Sequence, residues 1–135
     1  MSNTLSTTGW NVTLAPTAGT GAKWEQSGGS ANYGFNSTNT ADGQLSVDLS
    51  AGTFAVSGTT PAGQACTTSG LSFGAGGAFV TGTPTAGAIT LASASSASGL
   101  NCIFKLQNIS LRQTIPAYQT PGTYTLPVAA TVTAQ

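Results

Sequence analysis

The chain is short of charge. Of its 135 residues three are Lys or Arg and three are Asp or Glu, 4% of the whole against roughly a quarter in an ordinary soluble domain. Histidine is absent. Each shortage excludes a class of function. Without histidine no Ser-His-Asp or Cys-His arrangement has its usual base. Glu25, Asp42 and Asp48 are the only carboxylate side chains from which a glycosidase pair could be drawn. Asp48 falls on the expected solvent face between Val47 and Leu49, and Asp42 belongs to a turn before Gly43. "NTADGQ" offers one carboxylate where a calcium loop uses several. The expectation is no enzyme, no metal and no cofactor.

Lys23, Lys105 and Arg112 are scattered, so the clustered cations that neutralise phosphates are missing and nucleic acid is not an expected partner. No apolar run approaches the ~18–20 residues of a membrane-spanning helix. "MSNTLSTTGW" has neither a basic n-region nor an apolar h-region, so no signal peptide is read there. Cysteine is scarce too. Cys66 and Cys102 are too few for a zinc site without histidine partners. A bridge between them, closing a loop of about 36 residues and adding roughly 3–4 kcal/mol, is favoured over two reduced thiols.

What fills the chain is Ser, Thr, Gly, Ala and Asn, broken by short alternating apolar runs. A neutral, hydroxyl-rich surface fits a protein that packs beside its own copies or works outside the cell. "GWNVTLAP" alternates Trp10, Val12 and Leu14 before Pro16. "AKWEQS" and "ANYGFNS" follow, the second with Tyr33 and Phe35 on one face. "GQLSVDLSAGTFAVSG" reads as a hairpin, with Leu45, Val47 and Leu49 leading through a turn to Phe54 and Val56. "GLSFG", "GAFVTGT" and "GAITLAS" are three more short strands. "ASASSASG" reads as an exposed polar loop. "LNCIFKLQNISLRQ" reads as one long strand with a β-bulge near Gln107–Asn108.

No stretch carries a helical apolar stripe. About ten short strands in a chain of this length predict an all-β fold, a single β-sandwich of immunoglobulin-like or jelly-roll type. Residues 1–9 are expected to be a flexible or strand-donating arm, and 10–135 the domain. Its last strand, "GTYTLPVAATVTAQ", alternates to the end, with Tyr124, Leu126, Val128, Ala130, Val132 and Ala134 on the face expected to be buried. Pro127 has no amide hydrogen for a ladder, so a kink is expected there.

"IPAYQTPGTYTLPVAATVTAQ" (115–135) resembles the carboxyl-terminal stretch of spore-coat-protein-U-like and related pilin-type bacterial subunits. Pro116, Gln119, Pro121, Gly122 and Tyr124 follow their turn pattern in order, and "LSFG" is similar to a short strand of those families. Pro127 and the placing of the cysteines depart from it. The resemblance implies an immunoglobulin-like subunit completed by a neighbour's strand.

The function expected is a structural subunit of an extracellular filament or surface layer, polymerising with its own copies by β-strand contacts. The amino-terminal stretch is the preferred donor, and Leu5, Trp10, Val12, Leu14 and Trp24 are the candidate subunit contacts. A virion component, such as a capsid decoration or tail protein, is the alternative. A carbohydrate-binding adhesive module that stacks surface glycans on Trp24 is a second. Three Asn-X-Ser/Thr patterns, at Asn11, Asn36 and Asn108, are weak glycosylation signals.

Overall fold

Trp10, Val12, Leu14 and Pro16 alternate with Asn11, Thr13 and Ala15. That period of two makes Trp10–Pro16 a strand (β1) with its first set buried and its second half-exposed. The computed structural model describes residues 9–59, 66–95 and 102–134. Leu5 and residues 1–8 of the expected arm lie outside them.

Among the described residues there are twelve strands, against the ten or so expected, and no α-helix. They pair into four antiparallel sheets, and the fold is all-β and sandwich-like. One four-stranded sheet runs β12 (Val128–Ala134), β1, β8 (Ile89–Ala94), β6 (Leu71–Phe73). A second runs β10 (Ser110–Gln113), β4 (Leu45–Asp48), β7 (Gly77–Ala78). A third runs β11 (Tyr124–Thr125), β2 (Lys23–Gln26), β3 (Asn32–Gly34), and β5 (Thr53–Thr59) pairs with β9 (Cys102–Gln107).

A single apolar cluster joins these sheets. Trp10, Val12 and Leu14 meet Leu45 and Val47, Ile89, Leu91 and Phe104 in it. Phe35 and Phe79 sit at its centre, fully buried and edge to face with ring centres 5.4 Å apart. Phe54 stacks on Phe73 at its margin, centres 4.1 Å apart. Cys102, on β9, is buried and bridged to Cys66, Cα to Cα 5.9 Å, so the expected disulfide is present. The bridge ties a loop residue to a core strand across 36 positions.

Three local expectations are corrected. β4 and β5 do not form a hairpin: β4 pairs with β10 and β7, while β5 pairs with β9. The turn between them exists, closed by the Gly52 amide on the Leu49 carbonyl at 2.9 Å, but it carries the chain from one sheet to another. Likewise, Gln107–Asn108 is not a bulge in one strand. Asn108 has φ 58°, a left-handed conformation that asparagine tolerates better than most residues, and there the chain leaves β9 and enters β10 in a different sheet.

The start of "ASASSASG" is strand rather than loop, with Ala92 and Ala94 buried in β8. The bulge expected elsewhere is found here. Val12 pairs with Ala92 and Thr13 with Thr90, so Leu91 is the extra residue, and both Leu91 and Ala92 turn into the core.

Candidate functional site

The last strand differs from the rest. Val128, Ala129, Ala130, Thr131, Val132, Thr133 and Ala134 are all exposed, on both faces. Its segmentation agrees with expectation: Tyr124–Thr125 pairs with β2, Val128–Ala134 with β1, and Pro127 separates them. The expected burial stops earlier. Leu126 is 8% exposed, whereas Val128 is 42% and Val132 49% exposed.

The register shows why this is informative. Val128 faces Pro16, Ala130 faces Leu14, Val132 faces Val12 and Ala134 faces Trp10. Directly opposed residues of an antiparallel pair point to the same face of a sheet. The alternating apolar stripe of β12 therefore lies on the core-ward face, beside the buried residues of β1, and stays exposed. Its neutral reverse face carries Ala129, Thr131 and Thr133 beside Ala15, Thr13 and Asn11.

β12 is also the outermost strand of its sheet. The Thr17 amide donates to the Pro127 carbonyl at 3.0 Å, and residues 17 and 127 continue the β1–β12 register. Bonded and non-bonded pairs alternate along an antiparallel ladder, so Ala129, Thr131 and Thr133 bond inward to β1. Val128, Ala130, Val132 and Ala134 turn their amides and carbonyls outward. Among the described residues, those bearing the exposed apolar stripe are thus the ones whose backbone groups have no partner strand.

The second sheet has a matching edge. β10 is outermost there, and Leu111 pairs with Val47, which is 2% exposed, yet Leu111 itself is 54% exposed. Between the two edges lies an open apolar cleft of about 180 Å³, lined by Trp24, Leu45, Leu111, Gln113, Leu126 and Val128. Ile109 and Ile115, both exposed, flank β10.

Trp24 is half-buried at this cleft. Its indole Nε1 donates to Gln113 Oε1 at 2.9 Å, which ties β2 to β10. Its ring stacks on Tyr33, centres 6.1 Å apart, and Tyr33 leans on Tyr124 at 5.2 Å. Burial, and then the neighbouring Tyr124, push the Tyr33 phenol above its ordinary pKa.

Of the other residues expected to touch a second copy, Trp10, Val12 and Leu14 are enclosed in the chain's own core. Both edges of β1 are taken, by β12 and β8, so in this fold that segment has no surface left to donate. Alternation identified β12 as a strand, but alternation records which residues share a face and not whether anything covers that face. The better signal is composition: residues 128–134 contain no charge, no proline and only small side chains.

Of the three sequon asparagines, Asn36 is buried and its side-chain amide is already bonded to the carbonyls of Thr20 at 3.0 Å and Ala86 at 3.4 Å. No group of three or more His, Cys, Asp or Glu capable of holding a metal occurs among the described residues. No helix among them is long and apolar enough to cross a membrane. In comparisons with known proteins, no family model, no curated protein and no solved structure matches this chain.

Proposed function

We propose that the chain is a structural subunit of an extracellular filament or surface layer that assembles with copies of itself through β-strand contacts. The observation that carries this reading is the open edge of β12. Soluble proteins blunt an edge with Lys, Pro, a bulge, short length or a covering loop. β12 is seven residues long, uncharged, and exposed on both faces. Strand addition supplies backbone hydrogen bonds along such an edge, and alternate side chains set its register. A chain with 4% charge also has little electrostatic repulsion to keep its copies apart. The disulfide fits an oxidising compartment.

The strand edge proposed here is that of the carboxyl-terminal strand rather than Trp10–Pro16, because β1 is an inner strand of its own sheet. The glycan-binding alternative is weakened by Trp24, whose ring and N–H are engaged within the chain. Electron microscopy of the concentrated, oxidised protein tests the reading. Filaments or ordered sheets are expected, closed shells would favour the virion alternative, and dispersed monomers at every concentration would refute assembly.

A further inference from the structure

Resting on that assembly reading, we infer that the partner at β12 is the β12 strand of a second copy, paired antiparallel about a two-fold axis through Thr131. An antiparallel contact of one strand with itself needs no second surface, since each copy presents the same groups to the other. Three points set the register. Val128, Ala130, Val132 and Ala134 carry the outward amides, as the Thr17–Pro127 bond requires. Two such edges bond only when these residues face one another. The strand's midpoint is Thr131, so the pairing that overlaps all seven residues sets Val128 against Ala134 and Ala130 against Val132 of the second copy.

That same register keeps like faces together. The apolar stripes of the two copies lie side by side, and Ala129, Thr131 and Thr133 share the opposite face. A shift of one residue would break both the hydrogen bonding and the face matching. Charge raises no objection, since neither β12 nor the β1 strand beside it contains an ionisable side chain. The product is one continuous eight-stranded sheet, made of the four strands of each copy. Because a two-fold contact closes on itself, growth of a filament from this dimer uses a further contact elsewhere.

Thr131 would face itself across the axis as a non-hydrogen-bonded pair, where Cα atoms stand ~4.5 Å apart, within disulfide range. The test is mild oxidation of Thr131→Cys and, separately, Ala129→Cys, read on non-reducing gels, with mass spectrometry to verify the Cys66–Cys102 bridge. Light scattering of the unmodified protein records assembly independently. Thr131→Cys should give mostly covalent dimer and Ala129→Cys little, because residue 129 faces residue 133 of the other copy. In parallel, hydrogen exchange should slow at least tenfold at Val128, Ala130, Val132 and Ala134 when the protein is concentrated. If the protein assembles but Thr131→Cys does not cross-link, or Ala129→Cys cross-links equally, this contact is wrong while the assembly reading stands. If nothing assembles and those four amides stay unprotected, both are wrong.

Discussion

The Thr17 amide bonds the Pro127 carbonyl at 3.0 Å, and that contact sets the phase of the last strand. It directs the odd-numbered residues of β12 toward β1 and leaves the even-numbered ones facing out. Pro127 suits the position, since the bond uses its carbonyl and an amide hydrogen is not required of it. The edge on which the functional reading depends is therefore fixed by a proline at its threshold.

The disulfide should contribute substantially to stability. Reducing Cys66–Cys102 opens a 36-residue loop and should lower unfolding free energy by roughly 3–4 kcal/mol. Urea titrations with and without reductant measure it. An unchanged midpoint would mean that the bridge constrains nothing.

Asn36 should matter as a polar tie within the core. Asn36→Ala strips the side-chain donor from the Thr20 and Ala86 carbonyls, an expected cost of about 1–3 kcal/mol by the same titration. The side-chain nitrogen is engaged, so protein from a glycosylating host should carry no glycan at Asn36, as peptide mass mapping would reveal.

Gly74 has no room for a side chain. A Cβ there would fall on the Thr90 backbone carbonyl of β8, and backbone cannot swing aside. Gly74→Ala should cost about 1–3 kcal/mol and lower the thermal midpoint, whereas the same change at Gly21, which has open space, should be nearly silent.

Asp48 should give a small acid-side dependence. The Ser50 hydroxyl and amide, the latter at 2.8 Å, hold its carboxyl below the usual carboxylate range. A depressed folded pKa means the contribution is complete above the ordinary aspartate pKa and is lost as pH falls through the folded value. Asp48→Asn should remove that part of the acid limb in urea midpoints taken from about pH 6 down to about pH 2. An identical pH profile would sink the assignment.

These predictions rest on features of unequal legibility. Alternation at Trp10–Pro16 and Leu45–Val47 identified strands and their buried faces, because one side chain in two must enter a core. Pairing was less visible. β4 and β5 are adjacent in sequence and read as a hairpin, yet β4 pairs with β10 and β5 with β9, each more than forty residues away. A turn sequence specifies a reversal of the chain but not which sheet receives the next strand. The exposure of β12 was hidden for a related reason. Val128 and Val132 obey the same period as Leu126, and only the reach of the opposing sheet decides that Leu126 is covered and they are not.

The outward edge of β12 is the proposed seam between copies, and a proline scan across two neighbouring residues probes it. Ala130→Pro removes an outward donor and leaves the bonds to β1 in place, whereas Thr131→Pro removes an inward one. Sedimentation velocity over a range of concentrations, with tryptophan fluorescence reporting the fold, separates the two. Ala130→Pro should keep the native fluorescence and fail to form the assembly that the unmodified protein forms, while Thr131→Pro should be destabilised. An Ala130→Pro protein that is folded and assembles like the parent would contradict the claim that this edge joins the subunits.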